Sequence, residues 1–279
     1  MKKPLNFKTL GFILPIVMLS VASIGNAHAD RLADIKARGS LTCATLTTSE
    51  PLGFSDPVTR KTVGFDVDMC EAIAKRLGVK VELKGVSVEA RVPELTLGRV
   101  DLVSAALGYT KERAGQIDYT SAHYQTPIKL VVKSNAGLDK ITDLADKKIS
   151  ANKGSTPELY ARRVLPNATV LTFQDVPAAF LALAQNKVQG LALAQPSAVR
   201  FVNETSGEYK FASGELAWEA TALGIKKDEP ALLAAVNGAL ESMEKAGEID
   251  ALWSKWFGPT TKFKINREKK LTPISAFQS

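Results

Sequence analysis

The amino-acid sequence predicts an α/β fold, because apolar runs of strand length alternate along it with stretches of helical periodicity. The chain has 279 residues, of which 45% are apolar and 23% charged, a composition typical of a globular protein. The alternating elements form two sets, each too small to be the whole core of a chain this long. We therefore expect two α/β lobes rather than one.

The first set of elements occupies the N-terminal half of the chain. Its members are predicted strands at 41–46, 79–83, 101–105 and 128–132 and predicted helices at 66–77 and 91–97. Gly78 is expected to end the first helix as a left-handed cap. Pro93 falls in the first turn of the second helix, where its missing N–H is no loss.

The second set follows a polar connection. Its members are predicted strands at 148–151, 168–172, 190–193 and 222–225 and predicted helices at 156–164, 176–185, 230–244 and 248–256. Trp253, Trp256 and Phe257 lie at i, i+3 and i+4 of the last helix, a spacing that predicts core packing. The basic tail from Lys262 to Lys270 is expected to be solvated.

The first 29 residues have the pattern of a secretory signal peptide. Lys2, Lys3 and Lys8 precede an apolar stretch, and an A-x-A cleavage pattern ends at Ala29. The apolar stretch is short for a membrane-spanning helix, so an uncleaved anchor is the less favoured alternative. Cleavage removes three lysines and lowers the net charge of +7, which argues against a nucleic-acid partner. We expect a periplasmic protein that begins at Asp30 and has no membrane span after processing.

The composition of the remaining chain excludes several classes of site. One histidine, His123, and two cysteines, Cys43 and Cys70, are too few for the usual zinc sites, and the nucleophile-elbow, dinucleotide and P-loop motifs are absent. We therefore expect no metal and no cofactor. Export permits a Cys43–Cys70 disulfide, and buried free thiols are the alternative.

A first candidate segment follows the strand at 101–105. Thr110 is expected to cap a short turn, which places Arg113 where the helix dipole disfavours a cation. A guanidinium group held there would match a ligand carboxylate with two parallel hydrogen bonds, and free N–H groups after Ala106 and Gly108 would assist it. The alternative is a solvated arginine paired with Glu112 or Asp118.

The segment 153–158 is a second candidate. Ser155 or Thr156 caps the predicted helix, Pro157 opens it and Glu158 suits its first turn. A helix start with free N–H groups can bind an anion, although capping alone would also explain these residues.

Two further segments carry candidate residues. Arg91 opens a helix at the end that disfavours a cation, and a surface ion pair would also account for it. Ser49, Glu50 and Phe54 follow the first strand, at the strand end where open α/β sheets bind ligands.

An ordered series of motifs resembles one known family. The motifs are Val63-Gly64-Phe65-Asp66, Arg91-Val92-Pro93, Leu97-Gly98-Arg99-Val100-Asp101, Thr110-Lys111-Glu112-Arg113, Ile117-Asp118-Tyr119-Thr120, Gly154-Ser155-Thr156 and Lys255-Trp256-Phe257-Gly258. In this order, over about residues 38–258, the chain resembles the periplasmic solute-binding proteins of amino-acid ABC transporters, family 3.

The resemblance implies a type II periplasmic-binding-protein fold, with a ligand cleft between two lobes that close by a hinge. The lobes would comprise residues 30–124 with 222–279, and residues 125–221. By resemblance, Arg113 grips the ligand α-carboxylate with help from Thr156 and from backbone near Ala106 and Gly108. Arg91 matches a position that can reach the side chain of an acidic ligand.

The sequence departs from the family where an acid usually binds the ligand ammonium. Gln189 and Ala194 stand where the two acids are expected. Either Glu50, Gln195 or Glu219 replaces them, or the ligand is a carboxylate that lacks a free amine.

The implied function is non-enzymatic capture of an amino acid or related carboxylate by a monomer that delivers it to an ABC transporter permease. The alternative is an exported dehydratase-type enzyme acting on a cyclic carboxylate, for which Glu50, Glu219 and His123 are the candidate general acids.

Overall fold

This is a computed structural model of the chain, and it describes residue 1 and residues 30–278. The predicted signal peptide lies outside the described residues, apart from its first methionine. None of the helices within residues 30–278 has the length and hydropathy needed to cross a membrane.

The described chain alternates helices with strands. The helices are α1 Arg31–Arg38, α2 Phe65–Leu77, α3 Arg91–Thr96, α4 Lys111–Ala114, α5 Thr156–Val164, α6 Val176–Ala184, α7 Gln195–Asn203, α8 Pro230–Lys245 and α9 Glu248–Phe257. The strands are β1 Ser40–Thr45, β2 Thr48–Ser49, β3 Gly53–Ser55, β4 Thr62–Val63, β5 Lys80–Gly85, β6 Leu102–Val103, β7 Ile117–Lys133, β8 Lys148–Asn152, β9 Thr169–Phe173, β10 Gly190–Ala194, β11 Tyr209–Phe211 and β12 Ala217–Lys226. The predicted α/β alternation is confirmed.

Local signals predicted the helix ends well. Gly78 has a φ of 73° and its N–H bonds the last turn of α2, as expected for a left-handed cap. Thr110 and Ser155 are the N-caps of α4 and α5, and each side chain accepts a hydrogen bond from a backbone N–H three residues on. These ends depend only on neighbouring residues, which is why the sequence predicts them.

Other elements were missed. The sequence analysis predicted no element for α1, the β2–β3–β4 hairpins, α7 or β11. It recognised only 128–132 of the 17-residue strand β7. The first part of β7 contains the polar residues Asp118, Thr120 and Ser121, so it lacks the apolar pattern of a strand. It forms a strand because it pairs with β12.

A mixed sheet orders the strands β5-β1-β6-β12-β7-β10-β8-β9, with β11 added beside β7. β1 runs parallel to β5 and β6, and β8 runs parallel to β9 and β10. Between these two parallel groups lies the long antiparallel pair of β7 and β12. The pair therefore connects the two groups of parallel strands.

The hydrophobic core consists of several clusters. Phe65, Trp253 and Phe257 lie in one of them, with the Phe65 ring 5.6 Å and 5.8 Å from the Trp253 and Phe257 rings. Core packing is thus confirmed for Trp253 and Phe257, whereas Trp256 is only partly buried. A separate cluster around Ile128 and Ile149 packs on the other group of parallel strands.

The basic tail differs from the expectation. The Arg267 guanidinium is buried, and it donates to the carboxylates of Glu244 and Asp250 and to the His123 carbonyl. Thr272 forms a bridge with Ala122 of β7. The prediction of a solvated tail is wrong here, because side chains far apart in sequence provide partners for the guanidinium.

Cys43 and Cys70 form a disulfide, and their α-carbons are 6.2 Å apart. The bridge joins β1 to α2, and both cysteines are fully buried. Of the two alternatives, the structure therefore has the bridge rather than free thiols.

Removal of the disulfide is expected to destabilise the protein. The bridge closes a loop with a sequence separation of 27, for which the loss of unfolded-state entropy corresponds to about 3.5 kcal/mol. Substitution of both cysteines by alanine should lower the free energy of unfolding by about that amount, measured by urea denaturation. Wild type unfolded with a thiol reductant is the control, and equal midpoints for all samples would contradict the prediction.

Candidate functional site

Arg113 joins two loops that follow different strands. Its Nη1 donates to the Gly108 carbonyl at 2.7 Å, in the loop after β6. Its Nη2 donates to the Gly154 carbonyl at 2.7 Å, in the loop between β8 and α5. Arg113 and the capped start of α5 therefore meet, although they are far apart in sequence.

Arg91 reaches the same loop from a buried position. It is 3% exposed, and its guanidinium donates to the carbonyls of Val88, Ala105 and Ala106 at 2.7 to 2.9 Å. A longer bond of 3.4 Å reaches the Gly154 carbonyl. Arg91 is thus a component of the interior, not the surface ion pair that the sequence also allowed.

Burial, together with the neighbouring Arg113 charge, lowers the pKa of Arg91 to about 9. Tyr119, Glu219 and Asp66 oppose this shift. A pKa of about 9 leaves Arg91 charged at neutral pH. Two positively charged guanidinium groups therefore lie side by side.

Ser155 and Thr156 form the start of α5. Ser155 caps the helix through its hydroxyl, and Thr156 is buried. Gly154 has a φ of 71°, and a Cβ at this position would lie 3.2 Å from the α-carbon of Glu89. Glycine thus permits both the left-handed turn and the close approach of this loop to the segment before α3.

Asp66 also holds the loop after β6. It is buried at the start of α2, and its Oδ2 accepts from the Ala106 N–H at 2.9 Å. Ala106 has a φ of 49°, an uncommon conformation for a residue with a side chain. Burial raises the pKa of Asp66 to about 7, against the opposing effects of the Ala106 N–H and Arg91.

Gly108 lies against Glu219 and Thr156. A Cβ at Gly108 would lie 2.5 Å from the Thr156 hydroxyl and would also clash with Glu219 Oε2. Both oxygen atoms therefore face the α-carbon of Gly108. The expected free N–H after Gly108 is a wrong prediction, because the Tyr109 N–H donates to the Ala220 carbonyl at 2.8 Å.

Several of these residues line a cavity of about 40 Å³. Its polar lining consists of Ser49, Arg91, Asn152, Ser155, Thr156, Ser197 and Glu219. Apolar side chains such as Leu46 and Leu193 complete the wall. A larger cleft of about 380 Å³ adjoins it, lined by Arg113 and Glu158 and sharing Arg91 and Ser155 with the cavity.

Two polar atoms of the cavity wall have no hydrogen-bond partner among the described residues. They are Oδ1 of Asn152 and Oε2 of Glu219, whose residues are 5% and 6% exposed. Burial raises the pKa of Glu219, opposed by the Thr156 hydroxyl and by the charges of Arg113 and Arg91. Buried polar groups without partners are uncommon, and in a cavity they indicate a place for a polar ligand.

Three predicted site residues lie away from this cavity. Glu50 pairs with Arg200 at 2.9 Å and with Lys262 at 2.8 Å. Phe54 packs its ring edge against Trp256, 6.0 Å away. Gln195 is the first residue of α7 and is not part of the cavity wall. Only Ser49 of its segment contributes to the lining, where its hydroxyl lies 3.4 Å from that of Ser197.

Sequence reasoning missed Asn152 and Ser197. Asn152 is the last residue of β8, so its polarity at the carboxyl end of a strand was an available signal. Ser197 lies in α7, a helix that was not predicted, and no local pattern pointed to it.

His123 lies outside the cavity lining. It is buried between the rings of Phe65 and Tyr124, and burial with the nearby Arg267 charge lowers the pKa of His123 to about 3. Of the three acids considered for a dehydratase, Glu219 alone contributes to the cavity wall.

Comparisons with known proteins give one consistent result. The family of bacterial extracellular solute-binding proteins, family 3, matches residues 41–259. The glutamine-binding protein GlnH of Bacillus subtilis is 27% identical over 268 residues, which is 92% of this chain and 97% of that protein.

Solved structures agree. An ancestral arginine-binding protein bound to arginine is 33% identical, with a TM-score of 0.75 over 79% of this chain and 99% of that one. An ancestral amino-acid-binding protein, a precursor of cyclohexadienyl dehydratase, is 30% identical, with a TM-score of 0.76 over 82% of this chain and 100% of that one. The mixed α/β fold matches that of type II periplasmic binding proteins.

Proposed function

Since this chain belongs to family 3 of the bacterial extracellular solute-binding proteins, we propose that it is the amino-acid-binding component of an ABC transporter. The observation that carries the proposal is the convergence of Arg91 and Arg113 on one carbonyl oxygen, that of Gly154, in the loop that leads into α5. Two guanidinium groups directed at one oxygen atom suit a carboxylate, because each can donate several hydrogen bonds to it.

The ligand carboxylate takes the place of the Gly154 carbonyl as acceptor for Arg113 in this proposal. Thr156 assists, since its hydroxyl lies against Gly108 in the loop that Arg113 contacts. Arg91 is buried and charged, so it contributes positive potential in a site of low dielectric. Amino acids are the leading ligand class, because the relative GlnH is a glutamine-binding protein and an ancestral relative was solved with arginine.

Two lobes close over this ligand in the proposal: residues 30–124 with 222–279, and residues 125–221. The chain passes twice between the proposed lobes, once in β7 and once in β12. The two passages lie next to each other, because Tyr124 of β7 pairs with Thr221 of β12. A register shift follows directly between Thr221 and Ala222, a suitable place for a hinge.

Several contacts would hold the closed form. Besides Arg113 and Gly154, Lys153 pairs with Glu89 at 2.7 Å, and Arg200 with Glu50. Each joins a residue of one proposed lobe to a residue of the other. A permease could distinguish the closed form from the open form by these surfaces. We place this protein in the periplasm, as a monomer processed after residue 29.

The relatives compared above are binding proteins, and solute binding rather than catalysis is the function of this chain. The test is a thermal-shift screen of purified residues 30–279 over the twenty amino acids and small organic acids. A ligand bound only by the folded state raises the melting temperature, by an amount that grows with concentration. Calorimetry on each hit gives the affinity, and absence of any stabilising amino acid or carboxylate would reject the proposal.

A further inference from the structure

Resting on the proposed function, we propose that Glu219 binds the ammonium group of the ligand, so that the ligand is an α-amino acid rather than a carboxylate without an amine. Glu219 lies on β12, outside the segment in which this family's usual acids are expected. The assignment follows from what the expected positions contain, from the position of Glu219 and from the unpartnered atoms of the cavity.

The positions expected to hold acids supply no carboxylate. Ala194 lines the cavity with a methyl group, and the Gln189 side chain accepts a hydrogen bond from the Lys148 N–H at 3.1 Å. Glu50 is occupied by Arg200 and Lys262. A buried ammonium group without a counter-charge is unfavourable, so another carboxylate has to serve an amino-acid ligand.

Glu219 reaches the cavity through a gap that Gly108 leaves open. A Cβ at Gly108 would clash with Glu219 Oε2, and the same α-carbon lies against the Thr156 hydroxyl. Glycine at this position therefore leaves room for the carboxylate beside the Thr156 hydroxyl. The side chain belongs to β12, whereas Asn152 belongs to β8.

The unpartnered atoms require a donor. An ionised carboxylate can only accept hydrogen bonds. The Thr156 hydroxyl lies next to Glu219 and can supply one donor, but Glu219 Oε2 has no partner of good hydrogen-bond geometry among the residues that the structure describes. Asn152 Oδ1 is a second such acceptor in the same cavity wall. An ammonium group carries three N–H donors and a positive charge, whereas a 2-hydroxy acid offers a single uncharged O–H donor at the same place.

The charges agree with this assignment. Arg91 and Arg113 attract the carboxylate end of the ligand, and Glu219 attracts its positive end. Burial raises the pKa of Glu219, and an adjacent ammonium group would oppose this shift and favour the ionised form. A zwitterion thus satisfies both signs of charge, whereas an amine-free carboxylate would meet Glu219 with a like charge.

The test compares an amino acid with its 2-hydroxy acid, for example L-alanine with L-lactate, by calorimetry. The amino acid used is whichever one binds most tightly in the thermal-shift screen, and it is compared with the hydroxy acid that has the same side chain. Wild type should bind it at least about tenfold more tightly than the hydroxy acid, the scale of a charged hydrogen bond. Glu219→Gln should weaken amino-acid binding by about 10- to 100-fold and leave hydroxy-acid binding unchanged or tighter.

Two further variants separate this role from a structural one. Glu215→Gln removes a carboxylate that pairs with Lys129 near the start of the same strand, and it should leave both affinities unchanged. Gly108→Ala should displace the Glu219 carboxylate and so reduce the same preference for the amine. Equal losses for both ligands in Glu219→Gln, or a wild type without preference for the amine, would overturn the assignment. Binding of an amine-free acid alone would overturn it while leaving carboxylate capture intact.

Discussion

Arg113→Ala should weaken ligand binding by about 10- to 100-fold, because it removes charge-assisted hydrogen bonds to the ligand carboxylate. The variant also loses the bonds to the Gly108 and Gly154 carbonyls, which join the two loops in the present structure. Isothermal calorimetry with the tightest amino acid of the screen measures the change. Far-UV circular dichroism and ligand-free melting show whether the fold is retained.

Two other arginine variants make this result specific. Arg113→Lys keeps the positive charge but loses the planar fork, so its affinity should lie between those of wild type and Arg113→Ala. Arg162→Ala removes an arginine of the same outer cleft, which pairs with Glu158 at 3.1 Å on the surface. It should change affinity by no more than about twofold. Equal affinity of Arg113→Ala and wild type would remove Arg113 from the site.

Asp66→Asn should make the protein more stable relative to wild type as the pH rises from about 4 to 8. The pKa of Asp66 is raised by burial from 3.8 to about 7 in the folded protein. Between these values the folded state holds a proton that the unfolded state has lost, so wild-type stability falls with increasing pH. This rise in the pKa of Asp66 corresponds to a change of about 4 kcal/mol in the difference in unfolding free energy between Asp66→Asn and wild type. The change is complete above about pH 7.

Urea denaturation without ligand at several pH values measures this difference. Asparagine can still accept from the Ala106 N–H, and any constant effect of the substitution cancels in the pH dependence. Asp56→Asn is the control, because the Thr59 N–H lowers the pKa of Asp56 below 3.8. Its stability difference from wild type should be constant between about pH 5 and 8. A constant difference for Asp66→Asn as well would contradict the prediction.

The extent to which the site was predictable is clear from particular residues. Thr110 and Ser155 were predictable as caps because their own hydroxyl groups accept hydrogen bonds from nearby backbone N–H groups. Arg113 was singled out because a cation is unfavourable near a helix N-terminus. Glu219 was one of several acids with no pattern to distinguish it. Its position became specific only once Gly108 and Thr156 were placed against it.

By itself, the sequence determined the α/β alternation, the cap of α4 at Thr110 and the start of α5 near Ser155, because periodicity and capping are interactions between near neighbours. Only the tertiary structure decided the length of β7, the disulfide, the burial of Arg267 and the gathering of Asn152, Ser197 and Glu219 around one cavity. Each of these depends on partners far away along the chain. A side chain's exposure and hydrogen bonds are set by those partners, and residue type alone does not record them.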